Sequence, residues 1–493
     1  MRRARAAANS ASEPAWGGTP FLSATQVFDI RPIPRKFLAH EKMETAKDCF
    51  VDDGTILVTR SGSVGRSTLA HVPHRGVVIS DDLLRVFAND ERDYGWLYAY
   101  LHAPQVRAMT IGAHYGHIIK HLETSHLDAL PIPIVDDATA VGFSHRVSRI
   151  LDLRNEGHRL TLEAEACFEK ALGLLKIKDW GENGFAIRAS KAFLNGRRRF
   201  DASVHNPGAS EIRRRLAKGG QGLVSVAEAG FDVWVPGRYK RIPAEDGVIY
   251  RDSADLFEVS PDLTKKFADC GFGDDFCGRV KSGWILMPCS GQVYGIIGTA
   301  VLATEALDDQ VVSNHVIRIA PQKNPSVRVG YLLTALSHPV WGRPLIKALA
   351  FGSSVPEIDS DDLANLEFVR LKPSDESAIA DLSEASAKSR AEADVLEREI
   401  AAKRVPGDDD CADTVLLDEF PQDKQGISRQ PGVIEAARQV FGATAVALVQ
   451  PHDVPASGPR LVRNARHVVR PTRALQPMEQ DDGGMRCSRS YWP

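Results

Sequence analysis

Gly54-Thr-Ile-Leu-Val-Thr-Arg-Ser-Gly-Ser-Val-Gly-Arg66 decides how the chain reads. Ile56 to Thr59 are apolar or β-branched and predict a short buried strand. The strand runs into a turn where Gly62 and Gly65 can take the positive φ that side chains resist. The pattern returns as Gly283-Trp-Ile-Leu-Met-Pro-Cys-Ser-Gly-Gln-Val-Tyr-Gly295. Ile56, Leu57, Ser61, Gly62 and Val64 match Ile285, Leu286, Ser290, Gly291 and Val293 at a constant separation of 229.

Further echoes keep their order, the mark of an internal repeat. Val78-Ile-Ser80 ahead of Leu84-Arg-Val86 is answered by Val311-Val-Ser313 ahead of Ile317-Arg-Ile319. Gly95-Trp-Leu-Tyr-Ala-Tyr-Leu101 with Pro104 is answered by Gly330-Tyr-Leu-Leu-Thr-Ala-Leu336 with Pro339. Tyr115-Gly116 finds Phe351-Gly352, and Leu127 and Leu130 find Leu363 and Leu366; the separation drifts only from 229 to 236. At the front, a strand or short helix from Phe21 to Asp29, ahead of Pro32, is set against Leu223 to Asp232 ahead of Pro236. The first unit also predicts a strand at Gly76 to Ser80, a helix at Tyr94 to Leu101 and a loop at Gly112 to Gly116. Mixed elements of this kind, present twice, predict a tandem pair of α+β domains.

Each unit is followed by a helical seam. Phe143, Val147, Ile150, Arg154, Gly157, Thr161, Ala164, Phe168, Ala171 and Leu175 fall at alternating steps of four and three. Arg154, Gly157 and Thr161 interrupt its middle, so it reads as an imperfect coiled coil, roughly 60 Å long at 1.5 Å per residue. The second seam, Ile379, Leu382, Ser386, Ser389, Ala393, Leu396 and Ile400, follows the helix start Pro373-Ser-Asp-Glu376. The expected organisation is a disordered segment at 1–17, a first domain at 18–135, a helical spacer at 136–180, a second domain at 195–372, a distal spacer at 373–404 and a mostly disordered tail at 405–493. A short helix is expected within the tail at Val433 to Val440, and the two long helices are expected to pack together.

A chain of 493 residues, 43% hydrophobic and 25% charged, is ordinary for globular domains and too long for one core. No run of about 18 apolar residues predicts a membrane span. Seven cysteines without a Cys-x-x-Cys pair predict reduced thiols and a cytoplasmic setting. The formal net charge of -3 does not advertise nucleic-acid binding, although Arg197-Arg-Arg199 and Arg213-Arg-Arg215 are local basic clusters.

The order domain, helix, domain, helix, with these motifs, resembles the specificity subunit of type I restriction-modification systems. The residues that carry the resemblance are Gly54-Thr-Ile-Leu with Ser61-Gly62 and Gly65, Ile79-Ser80, the Gly116 loop before Leu127-Asp-Ala-Leu-Pro-Ile-Pro, and Arg199-Phe-Asp-Ala202. The resemblance covers about 18 to 404. It implies two target-recognition domains, each reading half of a split sequence in double-stranded DNA, on coiled-coil-like helices that dock two methyltransferase subunits. It implies a non-catalytic chain that binds no cofactor: S-adenosylmethionine belongs to the methyltransferase partner, and restriction/translocase subunits join for cleavage. The first unit lacks a clear counterpart of Arg199-Phe-Asp-Ala202, and the tail beyond 404 has no place in the pattern.

Residues assigned to DNA follow from chemistry that suits phosphate or base edges, each beside a plainer reading. Arg60, Ser61, Ser63 and Arg66 on the first turn, and Ser290, Gln292 and Tyr294 on the second, either present donors to DNA or simply form a tight turn with solvated side chains. His114, Tyr115, His117 and Lys120 read as a DNA-facing or merely surface loop. His117 and His121 could share a helix face, yet no carboxylate or cysteine completes a metal set. In the second copy Ala350, Ser353, Glu357 and Asp362 stand at the places of His114, His117, His121 and His126, and Ser353 and Ser354 are assigned to DNA. Arg238, Tyr239 and Lys240 combine charge with a ring, and Arg35-Lys36-Phe37 is set at the comparable place.

A phosphate-binding loop fails, because position 60 is Arg where its first Gly belongs and position 66 is Arg instead of Lys. The amino-methyltransferase motif is absent: only Asn206-Pro-Gly208 and Asn324-Pro-Ser326 approach it. Asp262 with Lys265-Lys266 makes no convincing nuclease core. A self-contained modification enzyme with an unrecognised site, and a defence-system adaptor that no longer reads DNA, stand as the alternatives.

Overall fold

A computed structural model describes residues 18–39, 46–113, 121–173, 185–190, 199, 201–269, 278–293, 295–352, 354–402 and 469–470. The N-terminal stretch 1–17, and the tail with its expected helix at Val433 to Val440, lie outside the described residues, apart from the pair 469–470. The fold is α+β.

The chain runs through β1 (Thr19–Leu22), a 3-10 turn Gln26–Phe28, β2 (Lys36–Leu38), β3 (Ile56–Thr59), β4 (Ser67–Leu69), β5 (Val78–Ile79) and β6 (Leu83–Val86). Helices α1 (Glu91–His102), α2 (Pro104–Ala113), α3 (Thr124–Asp128) and the long α4 (Asp137–Leu172) follow. Next come α5 (Pro207–Gly219), β7 (Leu223–Ser225), β8 (Phe231–Trp234), β9 (Pro243–Arg251), a 3-10 turn Asp255–Phe257, β10 (Lys266–Phe267), β11 (Ile285–Pro288), β12 (Val301–Leu302), β13 (Val311–Val312) and β14 (Val316–Pro321). The order closes with α6 (Val329–Ser337), α7 (Arg343–Leu349), α8 (Ser360–Ala364), β15 (Glu367–Val369), α9 (Pro373–Ala402) and β16 (Val469–Arg470). Two compact units result, one of Glu13–Asn155 with Glu392–Pro477, the other built on Glu156–Ala391. The division falls inside α4 and α9, so each long helix contributes residues to both cores.

In the first unit β3 lies between β4 and β6, with Ile56 opposite both Leu69 and Val86 and Leu57 opposite Arg85. In the second, β11 lies between β12 and β14, with Ile285 opposite Leu302 and Ile319, and Leu286 opposite Arg318. Register is therefore identical, and so is a parallel side pairing: Leu22 with Ile79 on β1 and β5, Arg251 with Val312 on β9 and β13. Gly54 and Gly283 both hold φ of 84°, and their N–H groups donate to Ala70 O and Ala303 O at 2.8 and 2.9 Å.

Each sheet buries an arginine. Arg85 donates to Leu83 O at 2.6 Å and Ile79 O at 2.9 Å, and Arg318 donates to Val316 O at 2.5 Å and Val312 O at 2.6 Å. Burial, the largest influence, pulls the Arg85 guanidinium below its usual range. The ring of carbonyls around each guanidinium ties the side pairing to the main sheet.

Both units use a glycine to seat a helix on a long helix. A Cβ on Gly95 of α1 would come within 2.2 Å of Ser144 N on α4, and one on Gly330 of α6 within 2.6 Å of Ala380 O on α9. Trp96 Nε1 donates to Pro133 O at 2.9 Å and Tyr331 OH to Val369 O at 2.6 Å, fixing the exit strand in the same way twice.

The residues that interrupt the seam are hydrogen-bonded. In the first unit Arg154 pairs with Glu397, and each side chain is 2% exposed. Tyr98 OH also donates to Glu397, and Arg154 Nη1 donates to Thr68 Oγ1 at 3.3 Å. In the second unit Ser386 Oγ donates to Gly157 O at 2.6 Å and Arg390 Nη2 to Thr161 Oγ1 at 2.8 Å. Around them Val147, Ile150, Ala393 and Ile400 are buried in one core, and Ala164, Phe168, Ile379 and Ala380 in the other.

Three details of the sequence reading change. The counterpart of Phe28 is Phe257, each closing a 3-10 turn after the parallel side strand; Leu223 to Asp232 belongs to an additional entry module of the second unit, in which β7 pairs β15 and β8 pairs β14. Arg35-Lys36-Phe37 corresponds to Thr264-Lys265-Lys266, because Phe37 lies opposite Pro20 on β1 as Lys266 lies opposite Ile249 on β9, and not to Arg238 to Arg241. Gly112 is helical, lying within α2. In each case sequence similarity alone could not distinguish a true register from a nearby chance match.

Candidate nucleic-acid interface

The β3–β4 turn is built by Thr59. Its Oγ1 donates to Ser63 O at 2.5 Å and accepts from Arg66 N at 2.9 Å, while Gly62 and Gly65 take φ of 72° and 77°. This leaves Gly62 and Ser63 exposed at the tip, over buried Val64 and Gly65. The neighbouring cations are engaged. Arg60 Nη2 pairs with Glu123 Oε1 at 2.6 Å, and the Arg66 guanidinium lies 4.1 Å from the Phe28 ring centroid. Ser61 Oγ donates to Asp82 Oδ1 at 2.9 Å, and Ser61 bridges His121 through the backbone.

The second unit repeats this frame with other side chains. Cys289 O accepts from Ile358 N at 2.7 Å as Arg60 O accepts from Leu122 N at 2.8 Å. Ser290 Oγ lies 3.3 Å from His315 Nδ1, where the first unit has a serine–aspartate pair. Ser290 bridges Glu357 through the backbone, and Gly291 N donates to Pro356 O at 3.0 Å. These contacts bring the exposed Gln292 beside a second loop that carries Phe351, Ser354 and Val355, the last 56% exposed. Burial pushes the Cys289 thiol up, which keeps it a neutral group.

Arg199 supports that second loop. It donates to Leu349 O at 2.5 Å and Ala350 O at 3.0 Å, and its guanidinium lies 5.5 Å from the Phe351 ring centroid. Its hydrogen bond to Asp201 raises the guanidinium above its usual range. Burial works against the Asp201 carboxylate, but Arg199 and Ser203 hold it down to about 2. The Arg199-to-Ala202 motif is thus a clamp on the end of α7.

Of the other assigned residues, Arg238 and Lys240 are exposed beside Tyr239, whose hydroxyl donates to Val312 O at 2.9 Å. His114, Tyr115, His117, Lys120, Tyr294 and Ser353 lie outside the described residues. The sequence reading missed Asp82 and His315, which follow the matched Ser80 and Ser313, and it missed the apolar tip at Phe351 and Val355. A one-to-one comparison of the repeats at those two positions would have exposed the first pair. Among the described residues no group of three or more His, Cys, Asp or Glu gathers as a metal set, and no helix is long and apolar enough to cross a membrane.

No sequence family and no curated protein matches the chain. Among solved structures it is similar to the type I restriction-modification system S subunit from M. genitalium, at 13% identity, covering 78% of this chain and 84% of that one, with a TM-score of 0.31. It is similar to the HsdS subunit from Thermoanaerobacter tengcongensis at 12% identity, covering 78% and 88%, with a TM-score of 0.25. A structure described for assembly and conformational transition of the type I R-M system matches at 12% identity, covering 79% and 92%, with a TM-score of 0.25.

Proposed function

We propose that this chain is a non-catalytic DNA-recognition subunit that reads a bipartite duplex target and docks two methyltransferase subunits of a type I restriction-modification complex. One observation carries the reading: the same hydrogen-bonded frame is present twice and holds unlike exposed tips, Gly62-Ser63 in one unit and Gln292 beside Ser354 and Val355 in the other. Two half-sites of different sequence require a constant frame and unlike side chains. Exposed Ser63 and Gln292 supply donors and acceptors suited to base edges, and Arg238 and Lys240 supply charge suited to phosphate. S-adenosylmethionine would be held by the methyltransferase partners, which carry out adenine methylation; restriction and translocase subunits would complete the assembly.

Mapping methylated positions in the host genome with and without this gene tests the reading. A split motif that vanishes with the gene is expected. Methyl transfer to DNA by the purified chain with S-adenosylmethionine and no partner would overturn it in favour of a self-contained enzyme.

A further inference from the structure

We infer that the second unit reads one A·T base pair, with the Gln292 amide on the adenine edge and the Val355 side chain against the thymine methyl group. The inference rests on the DNA-recognition reading and deepens it by naming the base pair.

The two residues leave the frame together. Cys289 O accepts from Ile358 N at 2.7 Å, Ser290 bridges Glu357, and Gly291 N donates to Pro356 O at 3.0 Å, which together make a short antiparallel ribbon. Pro356 has no N–H to return the last bond, so the ladder stops there. Gln292 and Val355 are the next residues on the two sides, and both are exposed. Partners at a hydrogen-bonded position of such a ribbon stand about 5.5 Å apart at Cα, so Gln292 and Val355 start from adjacent points.

Both sides are fastened. Gly295 N donates to Gln292 O at 2.8 Å and closes the turn that carries Gln292. Phe351 N donates to Glu357 O at 2.9 Å and Glu357 N to Phe351 O at 2.8 Å across the neck of the other loop. Arg199 holds that neck through Leu349 O and Ala350 O. Val355 is therefore kept in place without being covered; at 56% it is the most exposed of the large apolar side chains described.

The chemistry selects the occupant. A glutamine amide carries a donor and an acceptor side by side, matching adenine N7 and the adenine N6 amine. The same base pair presents the thymine C5-methyl group on the same major-groove edge. A G·C pair has no such methyl group, and its cytosine amine would meet Val355 without a partner. Phosphate is a poorer occupant, because Glu357 places an exposed carboxylate on this ribbon. A protein partner needs a wider apolar surface than Phe351 and Val355 provide. In the first unit Ser63 stands at the place of Gln292, and a hydroxyl does not select adenine. The A·T reading belongs to the second unit alone.

Selection from a randomised duplex pool by the full chain, purified with the subunits that accompany it in its host, tests this. A split motif is expected, and Gln292→Ala should relax an A·T pair in one half by at least about five-fold. Replacing the thymine of that pair with deoxyuridine removes only the methyl group and should weaken binding about four-fold. With Val355→Ser the same replacement should matter less than about two-fold; an equal loss in both proteins overturns the inference. Relaxation of a G·C pair by Gln292→Ala, or of no pair, also overturns it. So does a Val355→Ser variant that keeps its duplex affinity but sheds a protein subunit. Unchanged hydrogen exchange over Ile285–Pro288 shows that the variants are folded. If the wild-type complex enriches no motif, the DNA-recognition reading itself fails, which separates the two failures.

Discussion

Replacing Glu397 with Gln isolates the cation of Arg154 in the first unit. The two side chains are 2% exposed, and around them Tyr98 donates to Glu397 while His102 Nε2 stands 4.0 Å from its Oε1. Glutamine still accepts from Tyr98, so the perturbation is the loss of the anion beside a buried guanidinium. Breaking such a pair from one side destabilises by about 3–5 kcal/mol. At roughly 2–4 °C per kcal/mol for a domain of this size, the melting point of the first unit should fall by about 6–20 °C. A chain of two units has no single melting transition, so the readout is peptide-level hydrogen exchange over Ile56–Thr59 and Trp96–Leu101, with Ile285–Pro288 as the internal reference. Arg154→Met added to Glu397→Gln removes the stranded charge and should recover about 2 kcal/mol or more. A loss below about 1 kcal/mol in the single variant, or a double variant as unstable as the sum of both singles, would refute the buried-pair account.

Gly95→Ala drives a Cβ into the α4 backbone, and Gly330→Ala drives one into the α9 backbone; each should cost about 1–3 kcal/mol or more by overpacking, seen as faster exchange confined to its own unit. His74 accepts from His71 N at 3.0 Å through Nδ1, so its proton is on Nε2, which donates to Val27 O at 3.1 Å; burial lowers its pKa to about 4. Because the unfolded state binds the proton first, first-unit stability should drop by up to about 3 kcal/mol as pH falls from about 6.5 to about 4, and His74→Gln should flatten that slope in urea titrations. If Gln292 reads a base, Gln292→Ala should relax one half of the methylated motif and leave the other half intact; a uniform loss of methylation would remove it from base reading. Arg238→Gln should lower the slope of log affinity against log salt by about one without changing the preferred sequence.

The duplicated frame was legible because strands and turns recur with fixed spacing: β3 occupies the four residues that the apolar run marks, and α4 and α9 follow the three–four alternation to within a few residues. Arg154, Gly157 and Thr161 looked like defects in that alternation, since a one-helix pattern cannot reveal a partner more than 200 positions away such as Glu397 or Ser386. The same limit hid the entry module. Phe231-Asp232 resembles Phe28-Asp29 in letters, and only strand pairing separates them. For the interface, the turn residues were visible but their engagement was not: whether Arg60 faces solvent or Glu123 depends on a loop 63 positions later.

The pairing of β16 with β6 reverses the order in which the halves can mature during synthesis. Everything that builds the second unit's described core has emerged by Ala391, whereas the first unit needs Glu397 for Arg154 and residue 470 for its sheet. Between Asn155 and Arg470 lie 314 residues of chain, a delay of about 15–60 s at roughly 5–20 residues per second. The half that leaves the ribosome first is therefore the last to close. Throughout that interval its β6 edge stays open to chaperones or to neighbouring nascent chains.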